Sequence, residues 1–114
     1  MSVKIKRDNV DFVLVEPQTP GNVGAAARAL KTMGFRNLVL INPCDYTAPE
    51  ARWLAHAAED ILESARVYSS LREALVNINF AVTTTQRTRS YHFPFYTPEE
   101  LGKKLIPITQ EHRV

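Results

Sequence analysis

Short apolar runs and amphipathic stretches alternate along the chain and predict strands and helices in turn. The run VDFVLVEP, residues 10–17, is nearly continuous and stops at Pro17, which is typical of a buried strand. Residues 22–33 carry apolar side chains at helical spacing before Gly34, a common helix terminator, and predict a helix. Its expected inward positions are Val23, Ala25, Ala26, Ala29, Leu30 and Met33. The run NLVLINP, residues 37–43, repeats the strand pattern, so this half of the chain predicts a βαβ unit with parallel strands.

The second half of the chain continues the alternation. Residues 49–63 have helical composition, and residues 69–75 predict a short helix that Ser70 caps. The inward stripe expected on the first of these helices consists of Trp53, Leu54, Ala57, Ala58 and Ile61. The run NINFAVTTT, residues 77–85, predicts a third strand. Residues 97–105 begin a last helix, with Thr97 as its cap and Pro98 at its first position. The order of elements predicts a layered α/β fold on a parallel sheet.

Length and composition limit the class of protein. With 114 residues, 45% of them hydrophobic, and no linker or repeat, residues 1–114 are expected to form one domain. A net charge of +2 permits an anionic partner without requiring one. The one cysteine excludes an internal disulfide, and no Cys/His grouping has zinc-ligand spacing, so no metal is expected. No apolar run approaches the roughly 20 residues of a membrane span, so we expect a cytoplasmic protein without a membrane partner.

One long cation, Arg28, stands in the alanine-rich helix that follows the first strand. If Asn22 caps this helix, Arg28 aligns with Gly24 and leans back toward the exposed amides of the first turn. A cation at the positive end of a helix is unfavourable unless an anion lies between them, so the pattern predicts a phosphate site that Gly21 and Gly24 leave open. In the alternative interpretation, the small residues permit close helix packing on the sheet and Arg28 pairs with a surface acid.

A second cluster of candidate residues is the segment TTTQRTRSYHFPFY, residues 83–96. Arg87 and Arg89 suit phosphate recognition, and the aromatic residues that follow could stack on bases, which favours an RNA-binding loop. For Phe93, Phe95 and Tyr96 we favour the alternative that they fold back to cover the core.

Two stretches resemble a known family. VLVEPQTPGNVGAAARALKTMGFRNLVLINP resembles the first motif of the SPOUT superfamily of RNA methyltransferases, in its SpoU or TrmH-like branch. AVTTTQRTR is similar to the Gly-Thr-Thr/Ser-Ala-Arg-x-Arg segment that follows the third strand in that family. The likeness is strongest to the TrmJ-like tRNA or rRNA 2'-O-methyltransferases. It implies a three-layer, Rossmann-like parallel sheet that forms the N-terminal part of the SPOUT (α/β-knot) fold.

The resemblance also implies an activity and its residues. Members of the family transfer a methyl group from S-adenosyl-L-methionine to a ribose 2'-hydroxyl of tRNA or rRNA, and they work as homodimers. By the family's motifs, Asn22 and Arg28 are the expected catalytic residues. The residues in register with the cofactor segment are Thr84, Thr85 and Gln86, and the expected RNA contacts are Arg28, Lys31, Arg87 and Arg89. Because a guanidinium is a poor base, we expect Arg28 at least to orient the hydroxyl and hold a phosphate; proton abstraction by it stays a hypothesis.

The sequence also departs from the family pattern. Thr83 stands where the family usually has glycine, and Gln86 where it usually has alanine. The family's second and third motifs, which form the knot and most of the cofactor pocket, are absent from these 114 residues. We therefore expect a truncated methyltransferase domain that is inactive by itself. The alternative is a non-enzymatic RNA-binding or dimerisation module that lacks the cofactor half.

Overall fold

The computed structural model describes residues 3–84 and 96–114. The short 3-10 turn Arg7–Asn9 is followed by β1 (Asp11–Val15), α1 (Pro20–Thr32), β2 (Asn37–Ile41), α2 (Pro49–Ala55), α3 (Glu59–Glu63), β3 (Arg66–Tyr68), α4 (Leu71–Ala74) and α5 (Pro98–Glu111). None of the helices in these two ranges has the length and apolar character needed to cross a membrane. The predicted alternation of strands and helices is confirmed.

The strands form one parallel sheet in the order β1-β2-β3. Val13 of β1 is in register with Val39 of β2, which is in turn in register with Arg66 of β3. The predicted βαβ unit of β1, α1 and β2 is therefore present. Because the strands are parallel, their carboxyl ends lie at one edge of the sheet, and α1 begins at that edge.

The central strand β2 forms the middle of the core. Leu38 and Leu40 belong to the main apolar cluster, together with buried residues of α1, α2 and α3. Val39 and Ile41 face the opposite side of the sheet and are also buried. Helix α4 packs against β2 and β3. The sheet thus lies between helices, which agrees with the expected layered α/β class.

Helix α1 begins earlier than predicted. Its first residue is Pro20, and the cap residue Thr19 makes no side-chain hydrogen bond to the helix. Asn22 is consequently the third helical residue and does not cap the helix. Gly34 follows the end of the helix with φ +82°, a left-handed conformation that glycine adopts without strain, so the predicted stop is confirmed.

The inward face of α1 also differs in part from the prediction. Val23 and Leu30 are buried as expected, but Met33 is 64% exposed. Of the predicted inward positions, Ala25, Ala29 and Met33 are exposed and Ala26 is half-buried. The buried residues of α1 are Gly21, Val23, Gly24, Ala27 and Leu30. The reason is that α1 packs against α2 as well as against the sheet, which turns its smallest residues inward.

The single helix predicted over residues 49–63 is wrong. The chain forms α2 and α3, separated at His56 and Ala57, whose φ angles of 23° and 68° interrupt a right-handed helix. Trp53 is 74% exposed and Leu54 47% exposed, because α2 presents its alanines to α1. The predicted burial of Ala58 and Ile61 is confirmed.

The predicted third strand is misplaced. The third strand of the described sheet is β3, whose three residues are too few to show a period-two pattern, and residues 77–84 contain no strand. The amides of Asn79 and Phe80 instead donate to the carbonyl oxygen of Arg113 at 2.9 and 3.2 Å. The next residue, Val114, accepts from the amide of Asp11 at 2.8 Å. Residues 113–114 therefore occupy part of the free edge of β1.

Two predicted caps are confirmed. The Ser70 hydroxyl accepts from the amide of Glu73 at 3.2 Å at the start of α4, and the Thr97 hydroxyl accepts from the amide of Glu100 at 3.2 Å at the start of α5. Each hydroxyl satisfies an amide that the helix itself leaves without a partner. These caps fix where both helices begin.

Candidate functional site

The chain turns sharply where β1 and β2 end. Glu16 and Asn42, which follow the register pair Val15 and Ile41, have φ angles of 49° and 42°. The amide of Glu16 donates to Ile41 at 2.8 Å, and that of Asn42 donates to Tyr68 at 3.0 Å. Left-handed backbone is uncommon for residues other than glycine and persists only where its surroundings hold it. The sheet therefore ends in two adjacent constrained turns.

Hydrogen bonds tie the loops of this edge together. The amide of Cys44 in the β2 loop donates to Pro17 in the β1 loop at 3.0 Å. The side chain of Asn42 donates to the carbonyl oxygen of Ser69 after β3 at 2.9 Å. In parallel α/β sheets ligands bind outside this edge. The three loops form a connected frame from which α1 departs.

The first turn of α1 is suited to an anion. It contains no acidic residue, and no side chain caps it. Its amides therefore keep the partial positive charge that a helix carries at this end. Asn22 lies in this turn with its side chain exposed. Pro20 has no N–H, and the amides of Asn22 and Val23 donate to the carbonyl oxygen of Thr19 at 3.1 and 3.4 Å. A phosphate that reached this turn would therefore meet chiefly the exposed side-chain amide of Asn22.

Gly21 and Gly24 do not leave space for a ligand, which corrects that part of the prediction. A Cβ atom at Gly24 would lie 2.0 Å from the carbonyl oxygen of Ala51, and one at Gly21 would lie 2.7 Å from Cδ1 of Leu54. Both glycines bring α1 close to α2. The interpretation of small residues as a packing device is confirmed, although the partner of the glycines is a helix rather than the sheet.

Arg28 is exposed and forms no ion pair with any residue in the described ranges 3–84 and 96–114. The alternative that it pairs with a surface acid therefore has no support within those ranges. Six residues separate it from Asn22, so the two side chains leave α1 about 9 Å apart along the axis and about 120° apart around it. Because helical side chains lean toward the N-terminus, the guanidinium extends toward the start of α1.

Lys31 lies one turn further along α1 and has an acidic partner. Its Nζ is 2.8 Å from Oδ2 of Asp60, and both side chains are more than half exposed. The hydrogen bond from Lys31 holds the pKa of Asp60 below its usual value. Because exposed ion pairs contribute little to stability, Lys31 can exchange this carboxylate for a phosphate.

The remaining predicted site residues are not assembled within the described structure. Thr84 is described and exposed. Thr85, Gln86, Arg87 and Arg89 lie outside the described residues, as do Phe93 and Phe95. Tyr96 is 40% exposed and has the Nζ of Lys104 5.2 Å from its ring centroid, so its predicted role in covering the core is wrong.

Sequence reasoning missed a charged cluster at the opposite, amino edge of the sheet. The side chain of Asp11 is only 3% exposed, and it pairs with Arg113 and, at 2.7 Å, with Nη2 of Arg66. Partial burial lowers the pKa of Arg66, but the hydrogen bond and the charge of Asp11 raise it more, so the net pKa is above its usual value. No local motif marks the three residues, because 55 residues separate Asp11 from Arg66 and 102 separate it from Arg113.

The fold and the loops at the carboxyl edge of the sheet define an α/β protein. Its ligand site is expected at that edge, where α1 begins. The chain belongs to the SpoU rRNA Methylase family, whose sequence pattern matches residues 9–108. The resemblance found in the two motifs is therefore confirmed.

Individual relatives agree with this assignment. The chain is 38% identical over 102 residues to the uncharacterized tRNA/rRNA methyltransferase LasT of Escherichia coli, covering 90% of this chain and 43% of LasT. It is 40% identical over 98 residues to the tRNA (cytidine/uridine-2'-O-)-methyltransferase TrmJ of Salmonella typhimurium, covering 86% of this chain and 40% of that protein. The crystal structure of TrmJ from Z. mobilis superimposes with a TM-score of 0.78 at 33% identity, covering 86% of this chain and 43% of the other. The chain thus spans about 40% of these relatives' length.

Proposed function

We propose that this chain is part of an S-adenosyl-L-methionine-dependent methyltransferase that acts on a ribose 2'-hydroxyl of tRNA or rRNA. Family membership and the activities named for the TrmJ relatives support this proposal. The structural observation that carries it is Arg28, an exposed cation without an acidic partner in the described ranges, on a helix whose first turn lacks acids. Such an arrangement favours a phosphate beside the reacting ribose.

In this proposal Arg28 holds and orients the RNA. Its guanidinium donates to a phosphate oxygen of the substrate in a fork geometry that lysine cannot reproduce. With the phosphate fixed, the neighbouring 2'-hydroxyl is held in one orientation, which lowers the entropic part of the barrier. The exposed side chain of Asn22 supplies a further donor at the same edge, beside the positive end of α1. A guanidinium stays protonated in proteins, so the minimum role of Arg28 is positioning and charge stabilisation.

S-adenosyl-L-methionine supplies the methyl group in this proposal. The described residues do not form its pocket by themselves. Of the three residues in register with the cofactor segment, only Thr84 is described, and it is exposed. The buried side-chain polar atoms of the described residues all have protein partners, so none is left to receive a cofactor. In this proposal the described residues bind and orient the RNA.

The proposal includes a homodimer and a cytoplasmic location, where the RNA substrates are found. Trp53 and Leu54 on α2 expose apolar surface beside the start of α1, which gives a second subunit a surface to cover. We expect the 114 residues alone to be inactive, since they span about 40% of the relatives' length.

A second candidate is a non-enzymatic RNA-binding or dimerisation module. The observation that favours it is the same lack of a cofactor pocket among the described residues, while the exposed Arg28 and the first turn of α1 remain suited to phosphate. This candidate predicts RNA binding that weakens steeply with salt and no methyl transfer.

The test is a methyl-transfer assay on the complete reading frame that contains this chain, with tritiated S-adenosyl-L-methionine and unfractionated tRNA or rRNA. We expect Arg28→Ala to lower the rate about 100-fold or more, as removal of a transition-state donor does. Arg72→Ala, at another exposed arginine, is the matched control and should stay within about twofold. Nuclease digestion should place the label in 2'-O-methylated nucleosides. Equal rates for wild type and Arg28→Ala would contradict the proposal, and salt-sensitive RNA binding without transfer would favour the second candidate.

A further inference from the structure

An open groove of about 760 Å³ lies at the amino edge of the sheet, where α1 ends and β2 begins. We call it the amino-edge groove. Three cations line it, Lys31, Arg36 and Arg66, and its one lining carboxylate among the described residues is Asp60. The lining residues thus carry three positive charges and one negative charge, although Arg66 is already paired with the buried Asp11. The groove lies at the end of α1 opposite to the first turn.

Two of the three cations, Lys31 and Arg36, have only exposed acidic partners, whereas Arg66 is held by the buried side chain of Asp11. Arg36 is 75% exposed at its side chain, and its Nε lies 3.5 Å from Oδ1 of Asp8, which is itself 72% exposed. The pair of Lys31 and Asp60 is also exposed. Exposed pairs of this kind contribute little to stability, so a phosphate can replace either carboxylate.

Arg7 adds a cation beside the groove. Its Nε donates to the carbonyl oxygen of Met33 at 3.0 Å, and its guanidinium carbon lies 5.7 Å from the ring centroid of Phe35. It forms no ion pair with any residue of the described ranges. These contacts restrict the side chain before any ligand arrives, so less conformational entropy is lost on binding.

The floor of the groove is apolar. Phe35 supplies its half-buried ring, while Leu38 and Ile61 beneath it are only 2% and 3% exposed. The ring of Phe12 meets that of Phe35 edge to face at 4.9 Å between centroids. Apolar surface rimmed by cations suits a nucleotide, whose ribose and base contact the floor while its phosphates meet the rim. A peptide rich in carboxylates would satisfy the rim and leave the floor without a partner.

We propose that the amino-edge groove binds a second stretch of the RNA substrate, away from the nucleotide whose ribose reacts. This inference rests on the proposed function, since it takes RNA as the substrate. Nine residues separate Asn22 from Lys31, which places the two side chains about 13 Å apart along α1 and about 180° apart around it. Arg28 lies between them on the same helix, so a single RNA molecule can contact the first turn and the groove together.

The test is fluorescence anisotropy of the protein expressed from the complete reading frame that contains this chain, with end-labelled, unfractionated tRNA between 50 and 200 mM KCl. The groove variant is Arg7→Gln with Arg36→Gln. The matched control is Arg52→Gln with Arg72→Gln, which removes the same charge. Arg52 pairs with Glu63 at 3.6 Å, and both side chains are more than half exposed, as in the pair of Arg36 with Asp8. We expect the groove variant to raise Kd about tenfold at 100 mM KCl and to reduce the salt slope by about 1 to 2. The control should change Kd less than about twofold.

A second variant protects the test against misfolding. Arg36→Glu changes one exposed side chain, leaves the contact of Arg7 with Met33 intact, and should weaken tRNA binding more than tenfold. Unchanged binding in both groove variants would overturn the inference, as would an equal loss in the control, because net charge alone would then explain it. Stronger competition by polyaspartate than by unlabelled tRNA would overturn it in favour of a protein partner.

The same experiment separates this inference from the proposed function. Loss of methyl transfer in Arg28→Ala, with unchanged tRNA binding in the groove variants, would support the proposed methyltransferase and contradict the RNA-binding role of the groove. If the groove variants weaken tRNA binding but no form of the protein transfers methyl groups, the RNA-binding role of the groove would be supported and the proposed methyltransferase activity contradicted.

Discussion

Gly24 is the position where the addition of one methyl group has the clearest expected consequence. A Cβ atom there would lie 2.0 Å from the oxygen of Ala51, 2.9 Å from the carbon of the same carbonyl and 3.0 Å from the nitrogen of Ala55. All three are backbone atoms of α2, so no side-chain rotation relieves the contact. Non-bonded carbon and oxygen atoms pack at about 3.5 Å, and α2 would have to move by about 1 Å or more.

The magnitude follows from two opposing effects. Overpacking a close contact usually costs about 1 to 3 kcal/mol, and occasionally more, while replacing a helical glycine by alanine gains about 1 kcal/mol in helix propensity. Because the clash at Gly24 is with backbone, we place its overpacking cost at or above the upper end of that range. The expected net effect of Gly24→Ala is a loss of about 2 kcal/mol in the free energy of unfolding.

The assay is urea unfolding followed by far-ultraviolet circular dichroism, with Gly102→Ala as the control. A Cβ atom at Gly102 in α5 meets nothing within 4 Å, so the same substitution there should gain about 0.5 to 1 kcal/mol. The two variants therefore differ in sign. The reasoning about the α1 and α2 contact is refuted if Gly24→Ala is as stable as Gly102→Ala.

Two further predictions concern charged residues. Asp11→Asn should lower the free energy of unfolding by about 2 kcal/mol in urea titrations at neutral pH. Breaking a buried ion pair costs about 3 to 5 kcal/mol. The expected loss is smaller because the side chains of Arg66 and Arg113 are partly exposed, at 47% and 35%. A loss below about 0.5 kcal/mol would show that solvent replaces the carboxylate. Because the pKa of Asp60 is lowered from 3.8 by Lys31, its ionised form stabilises the fold above that pH, and the contribution is lost as the pH falls through the lower, folded-state pKa. The unfolding temperature of Asp60→Asn should be lower than that of wild type at pH 6 and equal to it in strong acid. A difference in unfolding temperature that does not change with pH would contradict this prediction.

Local signals in the sequence predicted the parts of the fold that local physics decides. Gly34 ends α1 because its backbone is left-handed, and Ser70 and Thr97 begin α4 and α5 because their hydroxyls satisfy first-turn amides. The strands β1 and β2 were predicted because their apolar runs are long enough to show a pattern. Each of these features depends on residues within one or two turns of the chain.

Tertiary packing decided the parts that were predicted wrongly. Met33 and Trp53 have the hydrophobicity of core residues, yet they are exposed, because the contact of α1 with α2 requires glycine and alanine on both inward faces. The third strand was misplaced because β3 is only three residues long and is recognisable through its pairing with β2. Hydrophobic periodicity does not carry this information.

The residues of the candidate site that lie on a single element were predicted from the sequence, whereas those that separate elements bring together were missed. Asn22 and Arg28 share α1, so a single motif indicated both. Asn42 was missed because its role appears only when β2 and the chain after β3 are side by side. The amino-edge groove depends on Arg7, Lys31 and Arg36, which separate elements bring together, and no motif in the sequence marks that combination.

The packing of α5 against the N-terminal segment sets an order of events in folding. Lys6 and Thr109 are joined by a hydrogen bond across 103 residues, and Gln110 reaches Lys4 across 106. Closing a chain loop of this length costs roughly 4 kcal/mol of entropy, which no single hydrogen bond returns. The core of α1, β2, α2 and α3 closes through much shorter loops, so we expect it to form first. We expect the N-terminal segment and α5 to join that core afterwards, and their contact to open early when the protein unfolds.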